Sequence, residues 1–67
     1  MNILLNNRKE EFEAPEITVK QMLEIKKFTY RLRIVKVNNI LIPKERYEST
    51  VIHDGDNVQM LYLMSGG

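Results

Sequence analysis

The chain has no cysteine. Disulfides and thiolate metal sites are therefore excluded. A single histidine leaves a zinc site short of ligands. The missing thiols fit a reducing compartment. Neither sign of charge is in excess: ten Lys and Arg stand against nine Asp and Glu, a formal +1. Such a field predicts neither nucleic-acid nor anionic-membrane binding. Lys26-Lys27 with Arg31 and Arg33 makes a modest basic stretch, read as an ordinary solvated face. No apolar run approaches the ~20 residues of a membrane span. The first residues enter a strand pattern directly, with no charged lead and cleavage site, so no signal peptide is expected and a cytoplasmic location is. There are no internal repeats, linkers or low-complexity segments. Sixty-seven residues make one small domain. A domain of this size buries only about 60% of its unfolded surface, too little to enclose a deep active site.

What is present reads as strands at both ends and one helix between them. Met1, Ile3 and Leu5 alternate onto one face over residues 1–5. Asn6-Asn7-Arg8 is a turn, since asparagine tolerates left-handed backbone. Residues 9–14 follow as a polar second strand with Phe12 and Ala14 inward, completing a hairpin that Pro15 closes. Thr18 is a helix N-cap, Gln21 completes a capping box, and Ile17 with Met22 forms a hydrophobic staple. Val19, Met22 and Leu23 share one helical face, with Ile25 at its flank. The helix is expected to end near Lys26-Lys27, where cations suit the negative end, though no glycine marks the exit. Residues 31–38 are the next strand, Val35 and Val37 on one side and Lys36 on the other. Leu32 and Ile34 break strict alternation. Asn38-Asn39 turns the chain into Ile40-Leu41-Ile42, which Pro43 ends. Lys44-Glu45-Arg46-Tyr47 fits a short helical turn. Residues 50–53 lead to the turn Asp54-Gly55-Asp56, where glycine supplies a positive φ. Residues 57–64 are the last strand, with Val58 and Met60 on one side and Gln59, Leu61 and Leu63 on the other. The fold class is α+β.

Two of the three glycines are the last two residues. Gly66-Gly67 ends the chain in a carboxylate on an arm without side chains. Glycine lacks a Cβ, so such an arm can pass through a narrow channel into another enzyme's active site. The competing accounts are a frayed end and a remnant of expression.

The second half of the chain resembles the thiamine-pathway sulfur carriers, the ThiS family. The residues that carry the resemblance are Val35-Lys36-Val37-Asn38, Ile42-Pro43, Arg46-Tyr47, Asp54-Gly55-Asp56 and the final strand ending in Gly66-Gly67. Before Val35 the likeness is looser, through Thr18-Val19 and Met22-Leu23. The molybdopterin sulfur carriers (MoaD) share the turn and the Gly-Gly, but the stretch from Ile42 to Tyr47 looks more like the thiamine branch. Phe28-Thr29-Tyr30 stands where family members often carry small residues, a departure that bears on the helix exit. The resemblance implies a ubiquitin-like β-grasp: a mixed sheet of four to five strands on one main helix, residues 1–64, with a flexible tail at 65–67.

It also implies a chemistry. A ThiF-like activating enzyme would join Gly67 to AMP, using ATP and magnesium. A sulfur donor, a cysteine desulfurase or related protein, would displace the AMP and leave a thiocarboxylate. A ThiG-like thiazole synthase would take the sulfur. The carrier itself would hold no cofactor, supply no catalytic group, and be a monomer when free. Ser65 and Gly66 form the slim arm; Gly67 bears the acyl group. Leu61, Leu63 and Met64 are the docking candidates, because this face of the last strand is a common contact surface in ubiquitin-like folds. Alternatively, Leu61 and Leu63 cover a second small cluster under residues 40–43. Two other function classes share these features: a ubiquitin-type modifier whose Gly67 acylates a lysine, and an interaction module with an idle tail. His53 beside Asp54 and Asp56 reads as a turn rather than an acid–base pair. Glu10, Glu11 and Glu13 read as a solvated strand edge, with no basic or apolar pocket to perturb them.

Overall fold

The computed structural model describes residues 1–28 and 33–62. Among these residues, seven strands, one α-helix and a 3₁₀ turn follow in order: β1 Asn2–Leu5, β2 Arg8–Glu11, β3 Glu16–Thr18, α1 Val19–Ile25, β4 Arg33–Val37, β5 Ile40–Ile42, the 3₁₀ turn Lys44–Arg46, β6 Val51–His53 and β7 Asn57–Tyr62. Five strands make one sheet in the order β2-β1-β7-β4-β5, and β3 pairs with β6 in a separate ribbon. All pairings are antiparallel except β1 with β7. One helix on a mixed five-stranded sheet is the β-grasp arrangement that the family resemblance implied.

The two asparagine pairs explain the hairpins. Leu5 pairs with Arg8, and Val37 with Ile40, which leaves Asn6-Asn7 and Asn38-Asn39 as two-residue loops. All four asparagines have positive φ, the sign pattern of a type I′ turn. That turn matches the right-handed twist of paired strands, and asparagine enters it at lower cost than other side-chain-bearing residues. The charged β2 forms a strand because this turn and the ladder to β1 hold it there, overriding weak propensity.

The second strand is shorter than expected and stops at Glu11. Phe12 donates one more backbone bond, to the Met1 carbonyl at 2.8 Å. The Met1 amino group in turn donates to the carbonyls of Phe12 at 2.6 Å and Ala14 at 3.3 Å, gathering the chain into a bend. Phe12 is nonetheless buried, as its inward assignment required. Ile17 and Thr18, read as a helix entry, also belong to the strand Glu16–Thr18: Ile17 lies opposite Ile52, and both are buried. This β3–β6 ribbon was not foreseen, because its pairing spans residues far apart in sequence.

α1 starts as the sequence dictates. Gln21 donates its backbone N–H to Thr18 Oγ1 at 3.1 Å, and Thr18 N–H donates to Gln21 Oε1 at 2.9 Å. Val19 N–H reaches the Thr50 carbonyl and Lys20 N–H the Tyr47 carbonyl. All four N–H groups that a helix start leaves unpaired are thereby satisfied. The exit is a Schellman motif. Phe28 N–H donates to the Leu23 carbonyl and Lys27 N–H to that of Glu24, with Lys27 at φ 58°. A lysine thus occupies the left-handed position usually given to glycine, which is why no glycine marked the boundary.

The core lies between α1 and the inner face of the sheet. Val19, Met22, Val35, Ile52 and Val58 are its fully buried side chains. Ile3 and Leu5, Val37, Ile42 and Met60 extend it across the strands, and Tyr47 closes one side.

Candidate functional site

β7 is the middle strand of the five, bonded to β1 on one side and β4 on the other. It begins at the Asp54–Asp56 turn and is described to Tyr62, about 17 Å further along at ~3.4 Å per residue. The turn end is stapled by carboxylates. Asp54 Oδ1 accepts from the Asn2 N–H at 2.6 Å, and Asp56 Oδ2 accepts from the His53 N–H at 2.9 Å. Asp56 Oδ1 accepts from Asn38 Nδ2, while Asn38 Oδ1 accepts from the Asn57 N–H. His53 Nε2 stands 3.5 Å from Glu16 and its Nδ1 4.0 Å from Asp56, with most of the ring in solvent. Asp54 and Asp56 thus bond backbone amides and a neighbouring asparagine, and the motif serves the turn. Among the described residues, no group of three or more His, Asp and Glu side chains could hold a metal ion.

The other end of β7 is the root of the tail. Leu61 sits on the outer face of the sheet, opposite Ile34 of β4, and 54% of its surface is open. Tyr62 points to the inner side, opposite Arg33, and is half exposed. Leu63, Met64, Ser65, Gly66 and Gly67 lie outside the described residues, as do residues 29–32. The proposed boundary between residues 64 and 65 falls there too.

The outer face carries more than the sequence reading assigned to it. In one row Leu41, Lys36 and Gln59 lie side by side on β5, β4 and β7. In the next, Ile34 lies beside Leu61. Near the start of β7, Leu4 lies between Asn57 and Lys9. Leu4, Leu41 and Leu61 are all exposed, as is Ile40 at the sheet edge. Ile34, Leu41 and Leu4 were missed as surface candidates. Their signal was present as apolar residues at both parities of β1, β4 and β5, where a half-buried strand should alternate.

The opposite side of the tail root is a shallow cleft lined by Lys20, Leu23, Glu24, Phe28, Arg33 and Tyr47. The Arg33 guanidinium lies 5.4 Å from the centre of the Tyr47 ring, within cation–π range. At its rim Lys20 donates to Glu48 at 2.9 Å. That hydrogen bond, and the Glu48 charge after it, hold the Lys20 ammonium above the usual lysine range. Lys26 instead donates to Glu10 at 2.9 Å, both partly buried. Glu10 therefore has a basic neighbour that strand spacing did not disclose, and the basic stretch is not one solvated face. Lys26 pins β2, Lys27 makes the helix exit, and Arg33 stacks on Tyr47.

The geometry offers a central strand, described to Tyr62, with an apolar outer face and a charged cleft on its inner side. Among the described residues no helix is long and apolar enough to cross a membrane. The sequence profile of the ThiS family matches residues 3–67. A search of curated proteins returned no match. Among solved structures, the chain is similar to a thiamine biosynthesis protein (ThiS) from Geobacter metallireducens. It resembles the crystal structure at TM-score 0.90, with 29% identity over the whole of both chains. The solution NMR structure of a thiamine biosynthesis protein from the same organism matches at TM-score 0.81 and 29% identity, over all of this chain and 88% of that one.

Proposed function

The chain belongs to the ThiS family, and from that membership we propose that it is a sulfur carrier for thiazole formation in thiamine biosynthesis, with Gly67 as the sulfur-bearing residue. The observation that carries the reading is the placement of β7. It is paired with β1 at Asn57 and Val58 and with β4 as far as Tyr62, five residues before Gly67. A central strand gives the arm a fixed origin, and two glycines give it a narrow tip.

A carboxylate is a poor acyl donor because its leaving group would be oxide. A partner enzyme removes that barrier by transferring AMP from ATP, with magnesium, to the Gly67 carboxylate and releasing pyrophosphate. Hydrosulfide supplied by the sulfur donor then attacks the acyl carbon and releases its proton to solvent. A C–S bond forms, the C–O bond to AMP breaks, and AMP leaves with the electron pair. The thiocarboxylate next gives its sulfur to a thiazole synthase. The carrier contributes positioning, since its body docks while its tail reaches. Ser65 and Gly66 keep the arm thin, and Leu61, with Leu63 and Met64 beyond it, marks the docking side. The partners are thus an adenylating enzyme, a sulfur donor and a synthase, and the body holds no cofactor.

The test is intact mass after incubation with ATP, magnesium, the cognate activating enzyme and a sulfur source. A gain of about 16 Da, oxygen replaced by sulfur, that vanishes when Gly67 is deleted supports the reading. An unchanged mass under conditions that convert a control carrier overturns it. Attachment to a lysine of another protein replaces it with the modifier function.

A further inference from the structure

The turn that starts β7 carries a reactive dipeptide, Asp54-Gly55. In an Asp-Gly pair the glycine nitrogen can attack the side-chain carboxyl that precedes it, because no Cβ stands in the way. Here the Gly55 nitrogen would bond to Asp54 Cγ. The amide proton and a carboxyl hydroxyl would leave together as water, closing a cyclic imide. Water then opens the imide at either carbonyl. Opening at Cγ restores the aspartate. Opening at the backbone carbonyl routes the chain through Cγ and leaves an isoaspartyl residue. The mass is unchanged, but the main chain gains a methylene.

Burial does not prevent this reaction. Asp54 and Gly55 are both exposed, and a Cβ on Gly55 would meet nothing within 4 Å. The pair is restrained instead by one residue of β1. Asn2 N–H donates to Asp54 Oδ1 at 2.6 Å, and Gly55 N–H donates to the Asn2 carbonyl at 2.7 Å. The second bond withholds the proton that attack must release. The first fixes the carboxyl, which must be free to turn its Cγ toward the nitrogen. Both lie on the edge of β1 that pairs with β7 from Leu4 onward, and they extend that edge past the start of the strand. The product would fit poorly. An added methylene displaces Asp56, whose carboxylate bonds Asn38 Nδ2 and the His53 N–H and whose carbonyl accepts from Leu4 N–H.

We propose that Asp54-Gly55 is an isoaspartyl-forming site that the backbone of Asn2 keeps shut, so that the rearrangement proceeds only when the start of β1 lifts from the turn. The site is independent of the carrier chemistry at Gly67. Its rate reads a local opening of the fold rather than global unfolding. Once formed, the isoaspartyl residue loosens the first bonds of the central strand.

Ageing the full chain in warm, mildly acidic buffer tests it, with isoaspartate at position 54 located by peptide mapping and electron-transfer fragmentation. The urea-unfolded chain should convert at least about tenfold faster than the folded parent, since two bonds need no longer open first. Asn2→Pro removes the N–H that holds Asp54 and should speed conversion in the folded state about tenfold, the worth of one hydrogen bond to a charged group. Asn2→Ala keeps both backbone groups and should convert at the parent rate. Circular dichroism establishes that each variant is folded. A folded parent that converts as fast as the unfolded chain overturns the proposal. So does a folded Asn2→Pro chain at the parent rate, or an equal rise in Asn2→Ala, which would place the effect in the side chain. If Asn2→Pro does not fold, amide exchange of the parent decides. Gly55 N–H should be protected, and low urea should raise its exchange and the conversion in proportion. A Gly55 amide that exchanges at the rate of an open chain refutes the site.

Discussion

Lys27 pays a backbone cost that glycine would not. At φ 58° an L-residue is strained by roughly 1–2 kcal/mol, and its side chain is exposed. Lys27→Gly should therefore raise unfolding stability by about 1 kcal/mol net of glycine's extra chain entropy. In a domain this small that corresponds to roughly 4–8 °C in a thermal melt. The four turn asparagines divide by the same logic. Asn39 has φ 67° and no hydrogen bond from its side chain is described, so Asn39→Gly should stabilise by up to ~1 kcal/mol. Asn38 also has positive φ, but its amide bonds Asp56 and the Asn57 N–H. Asn38→Gly should instead cost about 1 kcal/mol, since two bonds are lost. Urea unfolding of the pair checks the sign difference. These strained residues were half legible in the sequence. Asn-Asn announces a turn, whereas nothing about Lys27 announces a left-handed residue, because the Schellman bonds and the burial around Phe28 impose it.

At the scale of elements, what could be read was what is local. The capping box of α1 involves residues three apart, and it is formed as the spacing required. Thr18→Ala should cost about 1 kcal/mol in denaturant unfolding. It should leave conversion of Gly67 intact in the folded fraction, because the cap lies on the helix side and the tail springs from β7. A folded Thr18→Ala chain that cannot be activated would break that separation of body from tail. The β3–β6 ribbon was not legible. Its three pairs join residues 16–18 to 51–53, and neither segment carries a signal naming the other. The Glu10–Lys26 pair was hidden for the same reason: a strand edge and a helix end meet only after the sheet has formed. Apolar residues on both faces of β4 and β5 were visible, but as irregular alternation rather than as a surface.

For the molecule as a whole, the division of labour between body and tail predicts separable effects. Deleting Gly66-Gly67 should leave the unfolding midpoint unchanged within error, since the core is built from side chains between Ile3 and Met60 and glycine adds none, and should abolish the mass gain on activation. A loss of stability on deletion would mean that the tail belongs to the body. The α+β class and the β-grasp were within reach of residue pattern and family resemblance together. The parallel pairing of the first strand with the last was not in the pattern itself, since strands at opposite ends of a chain can meet in either direction. That pairing matters mechanically. Leu4 N–H donates to the Asp56 carbonyl and Asn6 N–H to that of Val58, in the same short stretch of sheet. Tension applied beyond Tyr62 and resisted at Met1 loads these bonds in shear, all together. A hairpin pulled at its ends opens one bond at a time. On the carrier reading proposed above, a pull on Gly67 would meet this sheared set of bonds rather than a peeling one.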